Sequence, residues 1–224
     1  MILPLLAAAA AAASPNANAR YDACVALARS NPAQAVASAQ GWRIEGGGVP
    51  ARQCEGMAYA NQQKWLEAAT AFENGAALAM SNNDPHAADL WLQAGNAALA
   101  ANDATRAIKM LDTALATGVL DGEAAGEAHL DRGRAHAALG HKTEARADLD
   151  QATKLVPDDP LGWLLSATLA RRAGDLPRAL EGGNIAYAMD KPDAARTAWE
   201  AAAKLQPNSP AGKAAADNLA QLGK

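Results

Sequence analysis

Four histidines and two cysteines are the side chains of this 224-residue chain best suited to chemistry. His129 and His136 stand seven apart and so share one face of a helix, an arrangement that could ligate a metal or relay a proton. Neither use finds its complement, because no carboxylate or thiol sits at metal-ligand spacing beside them. His86 and His141 fall in turn-forming stretches. The glycine run Gly46–Gly48 lacks a following Gly-Lys-Ser/Thr and does not leave a strand, so it reads as a flexible link rather than a phosphate cradle. Gly182–Gly183 reads as a point of close packing or a kink. No Gly-x-Ser-x-Gly elbow occurs, and the cysteines have no histidine-paired context. The sequence thus carries no recognisable catalytic constellation, no metal set and no cofactor signature, which points away from an enzyme.

The two cysteines, Cys24 and Cys54, leave two readings. On neighbouring helices they would form a disulfide closing a loop of about thirty residues, worth roughly 3 kcal/mol. Alternatively they are buried thiols acting as small apolar side chains. Export to an oxidising compartment favours the disulfide. The N-terminus points to such export. Ile2 to Ala13 is apolar apart from Pro4, and Ala17-Asn18-Ala19 follows in an A-x-A arrangement, as in a secretory signal cleaved after Ala19. No Lys or Arg precedes the apolar run. A disordered Ala-rich leader or a misassigned start codon is the other reading. The expected location is the periplasm. The stretch is too short to span a bilayer comfortably, and no other segment is apolar enough.

The elements that must position any site are helices. Half the residues are apolar, much of that half is alanine, and aromatics make up 4 %. Small side chains suit closely packed helices and would underfill a sandwich or barrel. The expected class is all-α. A formal charge of −4 with both signs scattered and no basic block disfavours nucleic acid or an anionic membrane as partner.

Offsets recur along the chain. Gly133, Ala145, Leu149, Ala152 and Pro157 repeat as Gly95, Ala107, Leu111 and Ala114, as Gly56, Ala68, Phe72 and Gly75, and as Gly183, Ala195, Trp199, Ala202 and Pro207. Glycine and alanine suit the closest crossing of two antiparallel helices, and the large residue one turn later fills the space beside it. Asn102-Asp103, Gly140-His141 and Gly174-Asp175 supply stops and caps, and the prolines end second helices. Trp91 and Trp163 take equivalent places. This pattern resembles the tetratricopeptide repeat over residues 49 to 207. The resemblance implies a right-handed α-solenoid of antiparallel helix pairs.

Spacings of 39 and 38 residues between Gly56, Gly95 and Gly133 exceed the family period of about 34. The surplus is assigned to loop extensions at 81–86 and 118–126. The expected organisation is a signal at 1–19, a degenerate helix pair at 20–48, an array at 49–207 and a capping helix at 208–224. Within the array the units are 49–82, 88–121, 126–159 and an irregular 160–207, where half a repeat is lost around 177–189.

In this family the first helices of successive units line a concave groove. The resemblance implies a groove built from Leu92, Gln93, Asn96 and Leu99, then Leu130, Arg134 and Ala137, then Leu164, Thr168 and Arg171. The leucines would form an apolar stripe or belong to the inter-repeat core. Asn96, Arg134 and Arg171 would donate to a peptide carbonyl or carboxylate, or the arginines would simply be solvated. His129 and His136 occupy packing positions of the third unit, which implies a structural role. Gln53 and Met57 replace the Lys and Asn set with which some relatives clamp chaperone tails. Two functions follow: a periplasmic module holding a protein or peptide, or a self-associating solenoid whose homodimer uses Tyr187 and Trp199.

Overall fold

A computed structural model describes residues 17–188 and 190–222; of the signal expected at 1–19, residues 1–16 lie outside them and Ala17–Ala19 form the start of the first helix. Twelve helices and no strand occur among the described residues. They are α1 (Ala17–Ser30), α2 (Pro32–Ile44), α3 (Gly48–Asn61), α4 (Trp65–Ser81), α5 (Ala87–Ala100), α6 (Ala104–Ala116), α7 (Gly122–Ala138), α8 (Lys142–Leu155), α9 (Pro160–Ala173), α10 (Leu176–Ala188), α11 (Pro192–Leu205) and α12 (Pro210–Leu222). Consecutive helices pack as antiparallel neighbours, and odd helices also touch the next odd helix from α5 to α11. The architecture is a right-handed α-solenoid of helix pairs.

Local chemistry ends and restarts the helices. Asn102, Gly140 and Gly174 take left-handed backbone with φ of 60°, 79° and 76°. The next residue then begins the following helix, as when the Asp103 carboxylate accepts from the Arg106 backbone N–H at 3.0 Å. Asn31 caps α2 in the same way, ahead of Pro32 at the first helical position. Pro157 and Pro207 follow the ends of α8 and α11. Of the two assigned loop extensions, 82–86 is a loop, but most of 118–126 is not. Helix α7 starts at Gly122, so the surplus lengthens the helix to 17 residues. Glu123, Ala124 and Ala125 are good helix formers, and they outweigh the glycines on either side.

The recurring glycines sit where large side chains of the partner helix press against backbone. A Cβ on Gly56 would come within 2.6 Å of the Phe72 ring, on Gly95 within 2.6 Å of Leu111, on Gly133 within 3.2 Å of Leu149, and on Gly183 within 2.5 Å of Trp199. Gly182 beside it faces the other way, toward Ala167 on α9 at 2.5 Å. Helix α10 is therefore pressed between α9 and α11 through two adjacent glycines. The Trp199 ring cannot retreat easily, being buried and donating to the Asn184 side chain at 3.0 Å. Gly183→Ala is expected to lower stability by roughly 1–2 kcal/mol, overpacking exceeding the gain in helix propensity. Gly41 has nothing within 4 Å of its Cβ position. Gly41→Ala is expected to raise stability by about 0.5–1 kcal/mol, so thermal melts of the two variants should move in opposite directions.

The apolar core is not continuous from end to end. One cluster runs from Val49 on α3 to Ala135 on α7, and another from Ala170 on α9 to Ala215 on α12. Between them stand Leu130, Leu149 and Ala152, against which the half-buried Leu165 and Leu169 of α9 pack. On the even-helix side this joint is polar: Arg146 donates to Asp175 at 3.0 Å, and Arg178 pairs with Asp150.

Candidate functional site: the first-helix face

The odd helices present a row of polar side chains that reach from one unit to the next. Tyr21 donates to the Gln53 carbonyl oxygen at 2.9 Å, and the Gln53 amide reaches Gln93 at 3.4 Å. One turn beyond Gln93, the Asn96 amide donates to Glu127 at 2.8 Å. Burial, with the nearby charge of Asp22, pushes the Tyr21 hydroxyl above its ordinary pKa. The Asn96 carbonyl oxygen is buried without a hydrogen-bond partner among the described residues. A buried acceptor left open carries a free-energy cost.

The groove residues inferred from the repeat separate into two groups. Leu92 and Leu130 are each only 7 % exposed and pack in the inter-helix core, and the remaining surface of Leu130 forms part of the wall of a cleft beside α7. Leu99, Leu164 and Thr168 are half-buried, with Gln93 and Asn96. Asn96 and Arg134 are donors already engaged within the chain, Arg134 with Asp131 at 2.6 Å. Burial raises the Asp131 carboxyl above its usual range, against the opposing effect of Arg134. Arg171 is exposed and makes no ion pair among the described residues. The repeat resemblance named Gln93 and Asn96 but not their partners Gln53 and Glu127, nor Tyr21, which bonds Gln53. The signal available was that each falls on an odd helix.

Two clefts open along α7. The first, about 410 Å³, lies between the N-terminal half of α7, the end of α8 and the start of α9, and is lined by Glu123, Glu127, Leu130, Val156, Asp158 and Asp159 among others. The second, about 130 Å³, continues along the next turns of α7 and is lined by Arg134, Ala137, Leu149, Leu165, Leu169 and Arg172 among others. A larger hollow of about 580 Å³ lies against α3 and α4 and carries both signs of charge, including Arg43, Glu55 and Glu67. Its buried Glu55 is already served by the Gln40 amide at 3.0 Å and Arg43 at 3.5 Å.

His129 and His136 do have a carboxylate beside them, contrary to what spacing along their own helix indicated. Asp148 of α8 is 5 % exposed and accepts from Arg132 twice, at 2.9 and 2.7 Å. The His129 Nδ1 lies 2.8 Å from Asp148, and the His136 Nε2 lies 3.9 Å away. Arg132 also reaches Asp112 of α6 at 2.6 Å. Burial opposes ionisation of Asp148, but the hydrogen bonds and charges of His129 and Arg132 together hold its carboxyl below the ordinary range. With His129 and Arg132 of α7 both bonded to the buried Asp148 of α8, and Arg132 also reaching Asp112 of α6, the network ties three helices together. No group of three or more His, Cys, Asp or Glu able to hold a metal occurs among the described residues.

Cys24 and Cys54 are joined as a disulfide linking α1 to α3, with Ala39 packed alongside. The self-association surface inferred from Tyr187 and Trp199 is half lost. Tyr187 is 55 % exposed, whereas Trp199 is 3 % exposed because it fills the space opposite Gly183. No helix among the described residues is long and apolar enough to cross a membrane.

No curated protein matches the chain. Among solved structures it is similar to PilW, described as a widely conserved type IV pilus biogenesis factor. The identity is 19 %, the TM-score 0.68, and the match covers 93 % of this chain and 94 % of that one. It is also similar to pilF of Pseudomonas aeruginosa, at 15 % identity and a TM-score of 0.58, covering 92 % and 99 % of the two chains. At such identities these likenesses speak for the fold. The tetratricopeptide repeat model matches residues 55–118, 92–147 and 130–182, more than half of the chain. With the glycine crossings, the left-handed stops and the paired helices already described, that match settles the family: the chain belongs to the tetratricopeptide repeats, whose fold typically serves as a protein–protein interaction scaffold.

Proposed function

We propose that this chain is an interaction module of the cell envelope, holding a protein or peptide partner on its first-helix face and performing no reaction itself. The observation that carries this reading is the row of hydrogen-bonding side chains on successive first helices, from Tyr21 through Gln53, Gln93 and Asn96 to Glu127. Such a row recognises polar groups along a ligand and offers no nucleophile beside a base. The envelope part rests on three supports: the leader read at 1–19, the Cys24–Cys54 bridge typical of oxidising compartments, and the fold shared with a structure described as a pilus biogenesis factor.

The test places a photo-crosslinking amino acid at Gln93 in the full chain expressed in a Gram-negative host, with a second version carrying it at the exposed Lys109 of α6. The expected result is one dominant envelope protein trapped from Gln93 and not from Lys109, on a chain whose N-terminus is Arg20. Identical adducts from both positions would remove the first-helix face from the reading. Cytosolic adducts on a chain retaining Met1 would remove the envelope.

A further inference from the structure

We infer that the groove along α7 seats an amphipathic helix of the partner, acidic in its first turn and basic in its last. This inference rests on the proposed role as a partner-holding module and names the chemistry of what is held. The two clefts follow one another along α7 from Glu123 to Ala137, a run of about 21 Å at the helical rise. They exist because α9 meets α7 and α8 through a thin apolar joint rather than a full core. The floor is Leu130, Leu149, Val156, Leu165 and Leu169, all contributed by helices or their ends.

That floor decides between a helix and an extended segment. The helices beneath it satisfy their own backbone groups, so they offer no ladder of donors and acceptors. An extended peptide would set its unpaired N–H and C=O groups against leucine, leaving each group so buried without a hydrogen-bond partner. A helix satisfies its backbone internally and presents a stripe at i, i+3 and i+4 to such a groove.

Charge fixes the direction. Glu123, Glu127 and Asp158 stand at one end, Arg134 and Arg172 at the other. The matching ligand is basic over the first group and acidic over the second. A helix with carboxylates in its first turn and lysines in its last also complements its own macrodipole, so the ligand runs antiparallel to α7. The chain's own residues 1–16 carry no charged side chain and do not meet this requirement.

The probe is a labelled helical peptide of about fourteen residues with a leucine stripe, two Glu in the first turn and two Lys in the last. Binding is read by fluorescence anisotropy on the full chain. The reversal Glu123→Lys with Asp158→Lys is chosen because both carboxylates are exposed, which spares the Asn96–Glu127 and Asp131–Arg134 pairs. It is expected to weaken binding roughly tenfold or more, and a peptide with Glu in its last turn should recover that loss on the variant. Arg172→Glu gives the mirror result and guards against a misfolded first variant.

Absence of binding to the native chain, equal binding by the reversed chain, or equal binding of a peptide with Ser for Leu would each overturn the inference. So would a dimer of the peptide-free chain that the reversal dissolves in sedimentation, since the occupant would then be a second copy. The module reading is separable. If the Gln93 adduct persists in the reversed chain while the peptide result fails, the groove assignment falls alone.

Discussion

Asp148→Asn is expected to destabilise the protein by about 3 kcal/mol, a fall in melting temperature of roughly 6–12 °C for a chain of this size. The reason is asymmetric. Replacing both partners of a buried pair is often tolerated, but removing one leaves the other desolvated and uncompensated. Here the loss touches Arg132, which contacts Asp148 through two nitrogens, and His129, which lies 2.8 Å from it. Asp112→Asn serves as the comparison. Its side chain is 55 % exposed and meets only one nitrogen of Arg132, so the change should cost well under about 1 kcal/mol.

The same carboxylate makes acid stability informative. Asp148 ionises at a lower pH in the folded chain than in the unfolded one. Its contribution is therefore complete above the ordinary carboxylate pKa of about 3.9 and disappears as pH falls through the depressed folded value. Melts from neutral pH down to that window should show the native chain and the Asp148→Asn variant converging. Curves that stay parallel would mean that the charge on Asp148 contributes nothing.

Reducing the Cys24–Cys54 bridge is the second large change. The bridge closes a separation of 30 residues, and its loss is expected to cost roughly 3–4 kcal/mol. The cost should be local. Each unit of a solenoid contacts only its neighbours, and besides the sulfur link α1 is held by small apolar contacts such as Ala28 against Ala35 and Ala58 and by a few polar ties, among them Tyr21–Gln53 and Arg20–Glu45. Hydrogen exchange after reduction should show α1 and α2 losing protection while α5 to α8 keep theirs. Uniform loss along the chain would show instead that the array melts as one unit. Unchanged protection would show that the bridge is dispensable.

What could be read from the sequence was whatever repeats at a fixed offset. The step of sixteen residues from Gly56 to Phe72, Gly95 to Leu111, Gly133 to Leu149 and Gly183 to Trp199 survives in the sequence because backbone approach admits so little else. The Asp148 network could not be read this way. Its members come from α6, α7 and α8, and although Arg132 and Asp148 also stand sixteen apart, the charged pair does not recur at that step in the other units, where the same step pairs Glu55 with Ala71 and Ala94 with Met110. The extra turn of α7 was hidden by Gly118, Gly122 and Gly126, which punctuate like a loop although Gly126 is buried within the helix against Val156. The groove was half legible. The repeat resemblance named Leu92, Gln93 and Asn96 together, but a one-residue rotation, about 100°, separates Gln93 from the buried Leu92.

The polar joint between α8 and α9 makes the solenoid mechanically uneven. A pull along the array loads every interface in series, so extension concentrates where the fewest apolar contacts resist it. The Arg146–Asp175 and Arg178–Asp150 pairs hold one edge of that joint while the leucines of the other edge separate more readily. Under tension the chain should therefore bend there before any helix unwinds, flaring the clefts beside α7. A protein tethered at both ends would in that way yield at a force set by a handful of side chains rather than by the stability of the helices on either side.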